Sequence, residues 1–482
     1  MGLFTSRSTD LRVRLARFPA APASPGEQPP LRARQIKTRT GCQQCKKRRL
    51  KCDETQPICR RCQLRGDDCS GSARVEQWQT TVLTPAVPSA RPLRPGLCDD
   101  DLLHYFAAVV IKDMVLEVNT ATPLPPVLDP YIRRSKALLH AARSLSIAHL
   151  HRFEPSSISR LLNDYQCALV ALREEVDQEV ADKQCSTHDA LHRLLLGALF
   201  LTVLHAWCDD SGKDTGLLHL RGAAATLDLL LASACYEGQT SVLEDFMIGT
   251  AAHIDMLCSH LVPAHHPLTQ SPHLLYILQQ DRWRSGSSMH PICGLSAPLC
   301  PIVGQAGRYY RSVVDLRVRD PQRERELERC LLQWQPIDAD DKTLHVQIAN
   351  GYRVCGLIML HQARRVHGAE TPPDAQPGPQ VPQLHQLIFF AMAILRETPR
   401  ALPQVNFEVL LLLIAGPEIG KEDQAGRALI EARFSELIAA THRRGHTLAA
   451  KFVREYWQIR DESREITWLE YMVERELSLN VA

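Results

Sequence analysis

The sequence predicts a mainly α protein, in which a small metal-binding module is joined by a linker to a large all-α domain. Three observations support this fold class: six cysteines recur at regular spacing within residues 41–70, four prolines interrupt residues 82–97, and apolar residues return at helical intervals from Asp99 onwards. We find no convincing alternation of apolar and polar residues that would indicate β-strands. A chain of 482 residues, 45% hydrophobic, is long enough for a small module and one or two core-bearing domains.

Residues 1–37 are predicted to form a disordered basic arm, because five prolines interrupt any helical periodicity. The first thirty residues hold no apolar run of the length that a secretory signal peptide needs. We therefore expect a reducing compartment, in which the sixteen cysteines of the chain do not form disulfides. The longest apolar run, 194–204, is too short to cross a bilayer and is interpreted as a buried helix, so no membrane partner is expected.

The module is predicted at residues 38–72, where the cysteines repeat the pattern C-x2-C-x6-C twice, with six residues between the halves. Two tetrahedral Zn²⁺ ions need eight ligand positions and six thiolates supply only six, so two thiolates have to bridge both metals. If the halves are equivalent, the most economical bridges are the first cysteines, Cys42 and Cys59. Soft thiolates suit Zn²⁺ or Cu(I), and no histidine precedes His104. The predicted ligands of the two ions are Cys42, Cys45, Cys52, Cys59, Cys62 and Cys69.

Cations are concentrated between the cysteines of this module. Residues 31–70 carry twelve cations and four acids, and after two Zn²⁺ ions and six thiolates are counted a net charge of about +6 remains. The residues after position 70 carry a net charge of −8. Such a density of positive charge at one end indicates a polyanionic partner. The predicted nucleic-acid contacts are Lys46, Lys47, Arg48, Arg49, Lys51, Arg60 and Arg61.

The module resembles the fungal Zn2Cys6 binuclear cluster domain of transcription regulators. The cysteine spacing, the basic run, the pair Cys52 and Asp53 and the position of Pro57 all match that family. The resemblance implies a helix over 46–51 that enters the major groove of double-stranded DNA at a CGG triplet. It places base contacts on Arg48 and Arg49, while the other cations of the module contact phosphate or remain solvated. Leu50 is predicted to be an apolar plug between the helices.

Residues 73–98 are predicted to be a proline-rich linker, since prolines forbid a continuous helix. Many relatives of the family dimerise through a coiled coil in this region. Residues 71–97 contain no apolar heptad, so a homodimer formed by that route is not expected.

Residues 99–482 are predicted to form the all-α domain. Three aspartates, 99–101, suit a helix N-terminus and precede an apolar helical pattern. Irregular, proline-containing stretches are expected near 262–305 and 368–382. Further helices are predicted at about 131–151, 156–180, 187–208, 214–234, 240–261, 340–366, 383–397, 404–415, 423–443 and 445–479.

The words SKALLH at 135–140 and LHLRGA at 218–223 resemble segments of the helical regulatory domain that accompanies these clusters in fungi. The resemblance implies transcription machinery or co-regulators as partners, and a small-molecule effector. The sequence has no G-x-S-x-G, no H-E-x-x-H and no Gly-rich dinucleotide fingerprint, so no catalytic residue and no enzyme activity are predicted. His290, Cys293 and Cys300 are too few for a second metal site and are interpreted as ordinary core or loop residues.

The function predicted from these features is that of a nuclear, sequence-specific DNA-binding regulator of genes transcribed by RNA polymerase II. The family suggests control of one pathway, such as a secondary-metabolite gene cluster or nutrient use. Two alternatives remain: a metal sensor or buffer in which the thiolate cluster is the functional site, and an all-α enzyme that uses the module as a DNA-recruiting tag.

Overall fold

The computed structural model describes the two predicted regions of regular structure and leaves the arm and most of the linker outside. The described residues are 42–48, 50, 52–53, 58–66, 69, 98–116, 124–150, 155–181, 187–209, 212, 216–232, 240–265, 271–283, 289–337, 344–370, 383–398, 407–441, 443–462 and 464–481. The chain divides into two compact units, Met1–Thr84 and Pro85–Ala482. The predicted arm at 1–37 and almost all of the linker at 73–98 lie outside the described residues, so these domain boundaries stay predictions.

The described residues confirm the mainly α class. The first unit contains two short helices, α1 (Gln43–Lys47) and α2 (Arg60–Gln63), which pack against each other. The β-type pairing in the described residues consists of isolated bridges such as that between Val318 and Glu370. The helices of the second unit are α3 (Asp99–Tyr105), α4 (Ile111–Met114), α5 (Leu124–Arg134), α6 (Lys136–Leu150), α7 (Pro155–Ala181), α8 (His188–Cys208), α9 (Leu217–Ala232), α10 (Val242–Cys258), α11 (Pro272–Leu278), α12 (Cys300–Leu316), α13 (Pro321–Gln333), α14 (Leu344–Ala363), α15 (Leu384–Glu397), α16 (Val409–Ala415), α17 (Gln424–Thr441), α18 (Arg444–Asp461) and α19 (Trp468–Glu474).

Two long helices, α8 and α14, form the interior of the second unit. α8 packs against α6, α7, α9, α10 and α18, and α14 packs against α12, α13, α15 and α16. α10 contacts both α8 and α12 and so connects the two groups. α8 is apolar around most of its circumference, as expected for a helix that neighbours cover over most of its length. It is long and apolar enough by composition to cross a membrane, yet 78% of its most apolar window is buried within this unit.

Polar residues fix the start of several helices. Ser241 accepts from the backbone N–H of Glu244, and the Glu244 carboxylate accepts from the Ser241 N–H, which forms a capping box at α10. Thr467 and Glu470 form the same motif at α19. At α3, the Asp101 carboxylate accepts from the backbone N–H of Cys98, and the three acidic residues of the first turn favour the positive end of the helix dipole.

Three helix predictions differ from the structure. The pattern at 131–151 is divided at Ser135, whose hydroxyl accepts from the Leu138 N–H and starts α6. The pattern at 445–479 is divided between α18 and α19, because Thr467 caps a new helix. The region expected to be irregular near 262–305 contains α11 and the first residues of α12, and α13 follows it without having been predicted. Most of the other irregular stretch, 371–382, lies outside the described residues.

Candidate metal centre and nucleic-acid interface

The six cysteines of the first unit come together in two groups of four that share two members. One group contains Cys42, Cys45, Cys52 and Cys59, and the other contains Cys42, Cys59, Cys62 and Cys69; within each group all sulfur atoms lie within 4.8 Å of one another. The shared residues are the two that ligand counting selects as bridges. Five of the six are buried, in a unit whose buried cluster consists of cysteines.

The distances between sulfurs fit tetrahedral thiolate coordination. Cys42 Sγ lies 3.8 Å from Cys59 Sγ and 3.7 Å from Cys62 Sγ, and Cys45 Sγ lies 3.8 Å from Cys59 Sγ. With Zn–S bonds of about 2.3 Å and tetrahedral angles, neighbouring sulfurs are expected about 3.8 Å apart. The donor set therefore fits one zinc-type ion in each group.

The backbone around each C-x2-C turn donates to the sulfurs. The N–H of Cys45 lies 3.4 Å from Cys42 Sγ, and the N–H of Cys62 lies 3.4 Å from Cys59 Sγ, so the two halves repeat one local structure. Cys59 has an extended backbone and acts as the N-cap of α2. These hydrogen bonds stabilise negative charge on the two shared sulfurs.

The surroundings of Cys45 disfavour its ionised form. Burial, followed by hydrogen bonds with Cys42 and Cys59, raises the pKa of Cys45 to about 12. Metals bind the thiolate rather than the thiol, so an ion in each group would supply the charge that stabilises the ionised form.

Asp53 positions the second half of the module. Its carboxylate accepts from the backbone N–H of Arg60 at 3.0 Å, at the first residue of α2. Sequence reasoning assigned no role to Asp53 beyond its match to the family. The signal that identifies this cap is an acidic residue that lies seven positions before the helix start and directly follows a ligand cysteine, Cys52.

The structure describes the side chains of only some of the predicted DNA-contacting cations. Those whose side chains are described, Lys47, Arg48, Arg60 and Arg61, are exposed. Arg49, Lys51 and the side chain of Lys46 lie outside the described residues.

Two details of the sequence analysis are corrected. α1 spans Gln43–Lys47 rather than 46–51, because the turn starts at the first cysteine of the half, and Arg48 follows the helix end. Leu50 is 39% exposed and is not a buried plug, since the sulfurs already fill the space between the helices.

In the helical unit, the structure brings together the residues that were considered too few for a second metal site. Cys293 Sγ lies 3.1 Å from His290 Nδ1, and Nδ1 also accepts from the backbone N–H groups of Ile292 and Cys293. His290 Nε2 donates to the carbonyl of Phe246 at 3.0 Å. Both ring nitrogens are therefore engaged in holding the loop before α12 on α10, and the arrangement is structural.

Two family models match the chain. The fungal Zn(2)-Cys(6) binuclear cluster domain matches residues 40–79, and the fungal specific transcription factor domain matches residues 101–482. The second match covers more than three quarters of the chain. No solved structure matches significantly.

Three curated proteins show local similarity. A Zn(2)-C6 fungal-type transcription factor, afumD of Aspergillus fumigatus, is 30% identical over 31% of this chain and 44% of its own length. The transcriptional regulatory protein moc3 of Schizosaccharomyces pombe is 40% identical over 15% of each chain, and adhesion and hyphal regulator 1 of Candida albicans is 41% identical over 10% of this chain and 8% of its own. This chain thus covers less than half of the length of each of these relatives.

The family matches agree with the geometry of both units: a thiolate cluster with an exposed cationic surface, and a helical body that covers most of the chain. Members of this family are transcription factors rather than enzymes, and their cluster domain binds zinc. The chain therefore belongs to the fungal Zn(2)-Cys(6) transcription factors, regulators that bind DNA and carry a helical fungal specific transcription factor domain.

Proposed function

We propose that this chain binds two Zn²⁺ ions through its six N-terminal cysteines and uses the resulting module to read CGG-type DNA sites in the nucleus. Cys42 and Cys59 bridge the ions, and each of the remaining four cysteines binds one ion. The regulated genes are those transcribed by RNA polymerase II. Metal removal unfolds the module, because its buried cluster consists of cysteines rather than of apolar side chains.

The observation that carries the proposal is the sharing of Cys42 and Cys59 by two sulfur groups whose S–S distances match tetrahedral zinc. Each shared cysteine also receives the backbone N–H of the short helix that follows it. The orientations of α1 and α2 are therefore fixed by the metals. The exposed cations on and after these helices are held at fixed positions for a DNA duplex.

The cations have two roles in this proposal. Arg48 and Arg49 read base edges, since a guanidinium can donate two hydrogen bonds to O6 and N7 of guanine. Lys46, Lys47, Lys51, Arg60 and Arg61 contact phosphates, which orient the module and supply most of the salt-dependent affinity.

A metal buffer or sensor needs the thiolates but not the cations. The stretch between Cys45 and Cys52 holds five cations in six positions, which would weaken the binding of a further positive ion and gain nothing for metal storage. The charge favours a DNA ligand. The same basic run serves as a nuclear import signal before DNA is bound.

The helical unit receives the regulatory signal, through a co-regulator or a small-molecule effector. The regulated genes belong to one pathway, such as a secondary-metabolite gene cluster, which would be identified by a genome-wide occupancy map.

The test is binding of the full zinc-loaded chain to duplexes with CGG or scrambled sites at several salt concentrations. We expect Arg48→Ala to cost about 1–3 kcal/mol on the CGG duplex and to relax sequence preference. Lys47→Ala should weaken binding to both duplexes equally and lower the salt slope by about one. The matched control is Arg173→Ala, which removes an exposed arginine of α7 whose side chain is 85% exposed. Equal affinity of the wild type for both duplexes would contradict sequence-specific binding.

A further inference from the structure

A second cluster of metal-binding side chains lies in the helical unit, remote in sequence from the cysteines. It consists of His188 and His192 of α8 and Glu244 of α10, with one donor atom of each within 4.8 Å of the others. Glu244 Oε1 lies 3.1 Å from His192 Nε2 and 3.7 Å from His188 Nδ1. We infer that these three residues bind a zinc-class divalent ion that ties the N-terminal end of α8 to that of α10.

The distances suit such an ion. Zinc bonds to histidine nitrogen and carboxylate oxygen are about 2.0–2.2 Å, so tetrahedral donors are expected about 3.3–3.6 Å apart. The two distances from Glu244 Oε1, 3.1 Å and 3.7 Å, differ from this range by a few tenths of an ångström. Two imidazoles and one carboxylate form a donor set that zinc uses with water in the fourth position.

Helix geometry brings the donors to one place. His188 and His192 are four residues apart, so they occupy the same face of α8. Thr187 caps α8 by accepting from the Ala190 N–H, which fixes the first turn that carries His188. The three donors are therefore positioned by the helix starts themselves.

Hydrogen bonds to the other polar atoms of Glu244 and His192 orient Glu244 Oε1 and His192 Nε2 towards the proposed ion. The Glu244 Oε2 atom accepts from the Ser241 N–H at 2.7 Å, which directs Oε1 towards the histidines. His192 Nδ1 lies 3.4 Å from the hydroxyl of Tyr131, and a hydrogen bond from the ring nitrogen that does not bind the metal fixes the tautomer of a metal-bound histidine. Without metal, the N–H at His192 Nε2 donates a hydrogen bond to Glu244 Oε1. When an ion binds, it would take the lone pair of Nε2, and the imidazole would change to the tautomer that carries its one proton on Nδ1, towards Tyr131.

Access and local charge also permit binding. The His188 side chain is 44% exposed, whereas those of His192 and Glu244 are each 10% exposed, so the site opens to solvent on one side and can hold water. Asp189 interacts with the nearby cations Arg134, at 3.6 Å, and Arg193, at 3.2 Å. These pairs reduce the repulsion that the two arginines would exert on an incoming ion.

The test counts zinc on the full chain by equilibrium dialysis against micromolar zinc, with the cysteine cluster loaded beforehand. We expect the wild type to bind one equivalent more than His188→Ala, and the zinc X-ray absorption of the wild type to include nitrogen and oxygen ligands that the variant lacks. Glu244→Gln should lose the same equivalent.

The matched control is His140→Ala, since His140 Nδ1 lies 2.9 Å from Asp164 in a histidine–carboxylate pair that no second histidine joins among the described residues. This variant should keep the zinc content of the wild type. Because His188 is partly exposed, its replacement should leave the fold intact, which circular dichroism checks. Equal zinc content in the wild type and His188→Ala would overturn the inference and leave the three residues as an ordinary ion pair.

Discussion

If the module binds two zinc ions as proposed, replacement of Cys59 by serine should remove both, although the change alters one atom. Cys59 belongs to both sulfur groups, so the substitution leaves three thiolates around each ion. It also removes the sulfur that accepts the N–H of Cys62 and starts α2. Structural zinc contributes an apparent free energy of about 10–16 kcal/mol per ion. Among the described residues of the module the buried cluster consists of cysteines, so apolar burial there does not replace that contribution.

The matched variant is Cys45→Ser. Cys45 belongs to one group only, so the other group, with Cys42, Cys59, Cys62 and Cys69, keeps four thiolates. We expect Cys45→Ser to lose one zinc equivalent relative to the wild type and Cys59→Ser to lose two. Cys98→Ser, at an exposed cysteine of the helical unit, should lose none.

Native mass spectrometry and the sulfur-to-cobalt charge-transfer absorbance of the cobalt-substituted chain measure these losses. The absorbance responds only to metal bound by sulfur, so an ion at His188, His192 and Glu244 does not affect it. If Cys59→Ser lost no more metal than Cys45→Ser, the bridging assignment would be wrong.

Three further predictions concern the helical unit. Arg433→Ala should lower the free energy of unfolding in urea by about 3–5 kcal/mol, because it leaves Glu408 buried without the guanidinium that lies 2.8 Å away. Burial and the nearby His290 lower the pKa of His253 from 6.5 to about 3, so the unfolded chain gains a proton below pH 6.5 that the native chain does not accept. Stability should fall as the pH drops, and between pH 7 and pH 5 the wild type should lose about 2 kcal/mol more than His253→Gln. Gly307→Ala should lower the melting temperature, since its new Cβ would overlap Ser259 Oγ and cost about 1–3 kcal/mol.

Each of these has a result that would refute it. A loss below about 1 kcal/mol for Arg433→Ala would mean that the pair behaves like a surface ion pair. Parallel pH profiles for the wild type and His253→Gln would remove that histidine as a source of acid sensitivity. Gly222→Ala is the control for Gly307→Ala, because no atom lies within 4 Å of its Cβ position, and equal melting temperatures for the two variants would contradict the steric argument.

The grouping of the six cysteines could be predicted from the sequence because it depends on counting rather than on packing. Two tetrahedral ions would require two bridges from six thiolates, and repetition of the half-site selects Cys42 and Cys59, the two residues that both sulfur groups share. The sequence determines the path of the backbone between the ligand cysteines less closely. Leu50 was predicted to be an apolar plug between the helices, whereas it is exposed and the buried cluster of the module consists of cysteines.

The missed helices have identifiable physical causes. α12 contains Gly304 and Gly307, which lower helix propensity, and Gly307 is needed where α12 approaches Ser259 closely. Six of the thirteen residues of α13 are charged, and its buried face includes Glu324, which pairs with Arg319 and Arg364. An apolar periodicity search misses a helix in which two of the four buried positions, Glu324 and Glu328, are ion-paired carboxylates.

The proposed ion site of His188, His192 and Glu244 could not be predicted from the sequence either. Their spacing on one helix is visible in the sequence, but Glu244 lies fifty-two residues beyond His192. Only the packing of α8 against α10 shows that the three side chains meet.

The position of α8 in the chain determines how long its apolar surface stays partly exposed during synthesis, before the helices that pack against it have been made. α8 ends at Cys208, and α18, one of the helices that cover it, begins at Arg444, 236 residues later. At roughly 5–20 residues per second, the ribosome takes on the order of 12–50 seconds to produce that stretch. Throughout that interval a segment with the composition of a membrane span is only partly covered. A nascent chain stalled before Arg444 should therefore bind chaperones that recognise apolar segments more strongly than the finished protein does.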